Sequence, residues 1–177
     1  FDKVFIFNSS LRFRLICKMA GIKEIFQYPL FKKKNQHLIK TAQSFIKEEL
    51  DMDVESNPII NLDDSKIESA IKKYNIEKEK INILLGIGGS GPTKRIPAHK
   101  FMDFMRMSTR EFNCKFFLAT GTKKEEQDIL NEILNSEFKQ KCTPLDKIRI
   151  NEILPVIKNC NIAICNDSSF SHLSAAL

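Results

Sequence analysis

The feature that most constrains the fold is an apolar run that leads into a glycine-rich segment, residues 81–97, with the sequence INILLGIGGSGPTKRIP. The apolar part is long enough for a buried strand and too short for a buried helix. Glycines then leave backbone N–H groups open to a ligand, and Pro97 stands where a helix can begin. With Thr93, Lys94 and Arg95 in between, the pattern predicts a binding site for an anion such as phosphate. The alternative is an ordinary strand-to-helix turn with solvated cations.

Two common phosphate-binding loops fit this segment poorly. Gly86, Gly88 and Gly91 match G-x-G-x-x-G, but a dinucleotide-binding loop opens its helix at the third glycine, and here residues 92–96 intervene. The next predicted strand, 115–120, also lacks the acidic residue expected at its end. A Walker A loop needs a lysine directly after a glycine, which Lys94 is not. Both loop types are therefore disfavoured.

The composition indicates a water-soluble globular chain. Hydrophobic residues make up 42% and charged residues 28% of its 177 residues, enough for one domain or pieces of two. No apolar run approaches the length of a membrane-spanning helix. The five cysteines form no C-x-x-C pair, which argues against a zinc site or a disulfide framework and for a reducing compartment. Because Phe1 falls near a predicted strand and Leu177 in a predicted helix, we expect a fragment of a longer protein.

The positive charge is concentrated near the start of the chain. The formal net charge is +6, and the residues after position 50 are neutral overall. We expect this basic part to attract an anionic partner such as a membrane, a nucleic acid or a phosphorylated glycan. A merely solvated face is the alternative. The candidate cations are Arg12, Arg14, Lys32, Lys33 and Lys34.

Apolar runs of strand length alternate with segments of helical periodicity along the whole chain. This alternation predicts an α/β fold with parallel βαβ units and a doubly wound sheet. A polar stretch, 51–64, is the candidate connection between two domains. Thr122 and Glu125 have the spacing of a capping box for a helix that follows. The predicted strands are 4–7, 22–28, 81–87, 115–120, 138–142 and 161–165, and the predicted helices are 11–20, 37–50, 65–74, 97–112, 151–158 and one beginning at 173.

A second polar segment, NDSSFSH at 166–172, follows the last predicted strand. In doubly wound sheets ligands bind beyond the carboxyl ends of the strands. This segment and the loop that contains the glycines, residues 87–96, here called the glycine loop, can therefore face one ligand. Asp167 can accept hydrogen bonds from sugar hydroxyls, and Ser168 and Ser169 suit a phosphate at a helix N-terminus, with His172 one turn further on. Alternatively, Asp167 or Ser169 caps the helix and His172 belongs to the core. A metal-bound phosphotransferase would need a second carboxylate, which is not visible.

Two stretches together resemble a known family. The segments GIGGSGPTKRIPAHKFMDFM and NDSSFSHLSAAL are similar to the two signatures of glycosyltransferase family 9, the ADP-heptose:lipopolysaccharide heptosyltransferases. The first fifty residues resemble the family more loosely. The resemblance implies a fold of the GT-B type, with two Rossmann-like doubly wound domains. Residues 1–57 would be the end of the N-terminal, acceptor-side domain, and residues 58–177 most of the C-terminal, nucleotide-sugar-binding domain.

The resemblance also implies roles for individual residues. Ser90 and Lys94, with Gly89, would meet the donor diphosphate, and a glutamate, Glu125 or Glu126, would lie near the ribose. Two positions depart from the family pattern, where Ile96 replaces a tryptophan and Ser169 a glycine. The catalytic base would lie upstream of Phe1 and be absent here. The residues expected to line the donor pocket are Asp167, Ser168, Ser169 and His172.

The function implied is that of an inverting glycosyltransferase that moves heptose from ADP-heptose to the lipopolysaccharide core. No metal or other cofactor is expected, and no nucleic-acid partner. The expected location is cytoplasmic and peripheral, at an anionic surface on the inner face of the inner membrane. Two alternatives stay open: a glycosyltransferase with another nucleoside-diphosphate sugar, and a nucleotide- or phosphosugar-binding module without catalysis.

Overall fold

The computed structural model describes residues 1–28, 37–55, 57–89 and 91–177. They form two compact units, Phe1–Asn57 and Pro58–Leu177. The boundary falls within the polar stretch that the sequence suggests as a connection. Ser90 and the lysines at positions 32, 33 and 34 lie outside the described residues, so their roles stay predictions.

The first unit is a single parallel βαβ arrangement followed by a helix. Its elements are β1 (Lys3–Ile6), α1 (Leu11–Met19), β2 (Glu24–Gln27) and α2 (Leu38–Leu50), and β1 pairs with β2 in parallel. Phe45 of α2 is 4% exposed, and the rings of Phe5, Phe7 and Tyr28 contact it edge-on, with centroids 5.1–6.4 Å away. Phe45 is thus the buried side chain of α2.

Helix α1 has the predicted position, but its large apolar side chains are exposed. It ends where expected, because Gly21 adopts φ 78°, the left-handed conformation that suits glycine after a helix. Within the described part of the chain, however, none of its residues is buried. The two four-residue strands of this unit offer α1 little sheet surface to cover. The apolar residues at helical spacing are therefore exposed, namely Leu11, Leu15, Ile16 and Met19.

The second unit is a parallel sheet with helices on both faces. Its strands are β3 (Ile81–Gly86), β4 (Cys114–Ala119), β5 (Cys142–Pro144) and β6 (Ile162–Cys165), and they lie in the order β5-β4-β3-β6. This confirms the doubly wound topology predicted from the sequence. The strand predicted around 138–142 exists but lies further along the chain, since a 3₁₀ turn occupies Lys139–Lys141 and the strand begins at Cys142. The helices are α3 (Asp64–Lys73), α4 (Ala98–Glu111), α5 (Lys124–Leu134), α6 (Ile150–Lys158) and α7 (Ser169–Ala176).

The core of this unit has two layers, one on each face of the sheet. Helices α4 and α5 pack Phe101, Met105 and Ile133 against one face, whereas α3, α6 and α7 cover the other. Successive residues of a strand point to opposite faces, so a strand in the middle of such a sheet has to be apolar throughout. The apolar residues Ile83 to Leu85 of β3 reflect this position, and the buried polar residue near its start, Asn82, donates hydrogen bonds to nearby carbonyls. Full burial of each large side chain contributes about 1.5–3 kcal/mol to stability.

Helix starts in the second unit differ from the predicted ones, by one residue at α3, α4 and α6 and by four residues at α7. Helix α5 has Lys123 as its N-cap, and Thr122 lies outside it, so the predicted capping box is wrong. Helix α6 begins at Ile150, one residue before Asn151, and its N-cap is Arg149. Helix α7 begins at Ser169 rather than at 173. Phe170 packs into the core, so the first turn is helical although it contains serines.

Candidate functional site

The two motifs meet at the edge of the sheet where the chain reverses direction. From β3 the chain moves outward through β4 to β5, and then returns to place β6 on the other side of β3. The carboxyl ends of strands at such a reversal open a crevice that commonly holds the ligand. The glycine loop follows β3 and the NDSSFSH segment follows β6. Between them lies a pocket of about 420 Å³, lined by Gly88, Gly89, Thr120, Gly121, Lys123, Glu126, Asp167, Ser168, Ser169 and Phe170.

A buried carboxylate forms one wall of this pocket. Glu126 is 8% exposed, and its Oε1 accepts a hydrogen bond of 2.9 Å from the Gly89 N–H. A Cβ at Gly88 would lie 2.7 Å from Oε1, and one at Gly121 would lie 2.5 Å from Oε2. Glycine is therefore required at both positions if the carboxylate is to keep this place.

Glu125, which the sequence favours for a capping box, does not line the pocket and is exposed. The side chain that turns back toward the glycine loop is its neighbour Glu126. Because Lys123 is the N-cap, Glu126 occupies the third helical position, from which a side chain points back past the helix start. The sequence names Glu126 only as an alternative to Glu125, because the choice between them depends on the helix start to one residue.

An ion pair joins the two motifs. Lys94 Nζ lies 2.5 Å from Asp167 Oδ2, and the two side chains are 49% and 64% exposed. The hydrogen bond from Lys94 is the main cause that lowers the pKa of the Asp167 carboxyl, and the charge of His172 adds a smaller effect. Since both side chains are half-exposed, an incoming anion can reach Lys94.

The N-terminus of α7 opens into the same pocket. Ser168 is its N-cap residue, whereas the sequence suggests Asp167 or Ser169 as alternatives for this role. Ser168 Oγ and Thr120 Oγ1 are buried and have no hydrogen-bond partner among the described residues. Hydroxyl groups can donate and accept, and buried ones normally have a partner, so these two oxygens of pocket-lining residues lack a partner that a ligand could supply. His172 is exposed, which rules out the core position considered as an alternative.

Asn166 is a residue of the site that the sequence analysis did not single out. It is 3% exposed, and its side chain makes hydrogen bonds on both sides of the glycine loop. The two positions that depart from the family pattern lie nearby. Ile96 is 37% exposed and donates its N–H to Asn166, and Ser169 lines the pocket as the first residue of α7.

The remaining candidates lie in the first unit. Arg12 is exposed and Arg14 partly exposed, both on α1. In the described ranges no helix is long and apolar enough to cross a membrane. Nor do three or more histidine, cysteine, aspartate or glutamate side chains of these ranges come together where they could hold a metal ion.

The model of one protein family covers most of the chain. The model for glycosyltransferase family 9 (heptosyltransferase) matches residues 20–177. The chain belongs to glycosyltransferase family 9. Among curated proteins, this family 9 chain is similar to lipopolysaccharide heptosyltransferase 1 of Campylobacter coli, with 27% identity over 121 residues. That match covers 67% of the chain and 35% of the relative, so the chain spans about a third of the relative's length.

Solved structures resemble the whole family 9 chain in fold. The ADP-heptose lps heptosyltransferase II of E. coli has a TM-score of 0.69 at 18% identity, over 99% of this chain and 60% of that one. A family 9 glycosyl transferase from Veillonella parvula has a TM-score of 0.69 at 16% identity, over 98% and 53%. The E. coli heptosyltransferase WaaC with ADP has a TM-score of 0.66 at 14% identity, over 100% and 58%. These likenesses confirm the predicted α/β fold class of the GT-B type.

Proposed function

We propose that this chain provides the donor side of a heptosyltransferase-like, inverting glycosyltransferase. The observation that carries the proposal is the pocket at the ends of β3 and β6. It combines the N-terminus of α7, two buried hydroxyl oxygens without partners, and Asp167, which pairs with the exposed Lys94 next to the lining. Cations and helix N-termini suit a diphosphate, and free hydroxyls suit a sugar or the remaining phosphate oxygens. ADP-heptose is the proposed donor, supported by the names of the family relatives.

In the proposed reaction an acceptor hydroxyl attacks the anomeric carbon of the donor sugar. A new bond forms between that oxygen and the anomeric carbon, and the bond from this carbon to the β-phosphate oxygen breaks. The electron pair leaves with the nucleoside diphosphate, and a base removes the proton of the hydroxyl. From the family resemblance we expect this base to lie outside the present residues, and we therefore expect the chain alone to be inactive in transfer.

The chain's own contribution is to bind the donor and stabilise the leaving diphosphate. Negative charge grows on the β-phosphate as the bond breaks, and fixed positive groups next to it lower the barrier. We propose this role for the first N–H groups of α7, which begins in the pocket lining, and for Lys94, which pairs with the lining residue Asp167. We propose that they take the place of a metal ion, so that none is required.

The proposed acceptor is a lipopolysaccharide-type glycolipid at the cytoplasmic face of a membrane. The name of the curated relative supports this acceptor. The concentration of positive charge in residues 1–50, with Arg12 and Arg14 accessible on α1, favours peripheral contact with an anionic surface. The charge-reversed variant Arg12→Glu/Arg14→Glu should sediment less with anionic vesicles than the unmodified chain. Equal sedimentation would leave these arginines as solvated residues only.

Calorimetric titration of the chain with ADP, AMP and adenosine tests the donor site. We expect ADP to bind more tightly than AMP, because the second phosphate adds charge next to Lys94, and adenosine to bind most weakly. Addition of a chelator should leave the ADP affinity unchanged. If no nucleoside diphosphate binds, or if AMP and ADP bind equally, the proposed function is wrong.

A further inference from the structure

We propose that Asn166 is a positioning residue that holds the glycine loop in its ligand-binding conformation. This inference rests on the proposed function, since it concerns the same pocket. Asn166 itself does not line the pocket. It acts through the backbone of the loop and through the residues that the loop carries.

The side chain of Asn166 clamps the two ends of the loop. Its Nδ2 donates a hydrogen bond of 2.8 Å to the carbonyl of Ile87, where the loop begins. Its Oδ1 accepts a hydrogen bond of 3.0 Å from the N–H of Ile96, where the loop ends. The backbone N–H of Asn166 also donates to the Gly86 carbonyl at 2.9 Å. With 3% of the residue exposed, water has little access to compete for these bonds.

An amide is the side chain that this position requires. Ile87 offers an acceptor and Ile96 a donor, so the clamp has to donate and accept at the same time. A carboxylate of the same shape cannot donate to the carbonyl, and an aliphatic side chain leaves both backbone groups without a partner. Such unpaired buried groups are costly, so the loop would move to pair them elsewhere.

Movement of the loop would displace the charged side chains at the pocket. Lys94 lies two residues before Ile96, and its partner Asp167 follows Asn166 in the chain. Gly89 lies next to the Asn166 side chain, since a Cβ added at Gly89 would be 3.7 Å from Asn166 Cβ. The clamp therefore fixes the cation, the glycine N–H groups and the N-terminus of α7 relative to one another.

The chain contains a matched control in Asn82. This residue is also 3% exposed, and its Nδ2 donates to the carbonyls of Glu77 at 2.9 Å and Lys80 at 3.3 Å. It lies near the start of β3, at the opposite end of the strand from the glycine loop. Asn82→Ala and Asn166→Ala each remove two side-chain hydrogen bonds, so both should lower the free energy of unfolding. Only the second should disturb the pocket.

The test combines calorimetric titration with ADP and hydrogen exchange of the amides in residues 87–96, at a temperature where both variants are folded. We expect Asn166→Ala to bind ADP about 10- to 100-fold more weakly, because a small misplacement of the groups that contact a ligand can cost up to about a hundredfold. We expect Asn82→Ala to bind like the unmodified chain. The loop amides should exchange faster in Asn166→Ala alone. If Asn166→Ala cannot be isolated folded, Asn166→Ser takes its place.

Each outcome decides the question. Equal losses of ADP affinity in the two variants, or no loss in either, would overturn the positioning role. If the unmodified chain binds no nucleoside diphosphate, the proposed function fails, whereas the clamp is then judged by exchange alone. Equal hydrogen exchange of the loop amides in the two variants would overturn the positioning role of Asn166.

Discussion

Replacement of Lys94 by alanine should weaken the binding of ADP without unfolding the chain. Lys94 is paired with Asp167, but the two side chains are 49% and 64% exposed. Ion pairs with such exposure contribute little to folding, so the variant should stay folded. In the complex, by contrast, the ammonium group would lie against a phosphate, and its loss would leave Asp167 as an unpaired negative charge beside the ligand.

The size of the effect follows from the exchange of partners. A charge-assisted hydrogen bond contributes about 1.5–3 kcal/mol, which corresponds to about 10- to 150-fold in affinity. Lys94 already has a carboxylate partner at 2.5 Å, which it must give up or share when phosphate binds. The net gain is therefore smaller than for a free lysine. We expect a loss near the lower end of the range, about tenfold.

Calorimetric titration with ADP at low salt measures this loss, and Lys73→Ala is the matched control. Lys73 forms a similar pair with Glu152, at 2.7 Å with side chains 57% and 45% exposed, but Glu152 does not line the donor pocket, whereas Asp167, the partner of Lys94, does. Lys73→Ala should bind ADP like the unmodified chain. Equal ADP affinity for Lys94→Ala and Lys73→Ala in folded protein would refute the role of Lys94.

Two further predictions concern packing and thiol chemistry. Gly88→Ala should lower the free energy of unfolding by about 1–3 kcal/mol and weaken ADP binding, because its Cβ would lie 2.7 Å from Glu126 Oε1. The control in urea unfolding is Gly91→Ala, because a Cβ added at Gly91 would have no atom of the described residues within 4 Å apart from its chain neighbours. Similar losses of unfolding free energy in the two variants would contradict the reasoning. Burial raises the pKa of Cys142 and of Cys160 to about 12. Peptide mass spectrometry should therefore find them unalkylated by iodoacetamide at pH 8 unless urea is added, and rapid labelling of native protein would disprove this.

The sequence predicted well what local patterns determine. The apolar run of β3 and the glycines after it fixed the strand and loop, and the alternation of elements fixed the doubly wound sheet. Helix starts were less certain, because several polar residues near each start could serve as the cap. At α5 an error of one residue in the helix start favoured Glu125 over Glu126. At α7 the serines favoured a loop, whereas Phe170 packs into the core and draws the first turn into the helix.

The contacts that organise the site could not be predicted, since they join residues far apart in sequence. Asn166 and Ile87 are 79 residues apart, and Glu126 and Gly89 are 37 apart. Only the order of strands brings them together, and a single sequence does not specify which polar side chain pairs with which backbone group. The exposure of α1 was also unpredictable, because helical spacing shows which residues share a face but not what covers that face.

The strand order also has a consequence for the kinetics of folding. Strand β3 can pair with β4 early, since a single helix separates them in the chain, whereas its pairing with β6 must close a much longer loop. The donor pocket lies across that second pairing, so it is complete only when β6 has docked. A nucleotide would then bind the native sheet and not the partly formed one. It should slow the unfolding of the chain and leave its rate of folding nearly unchanged.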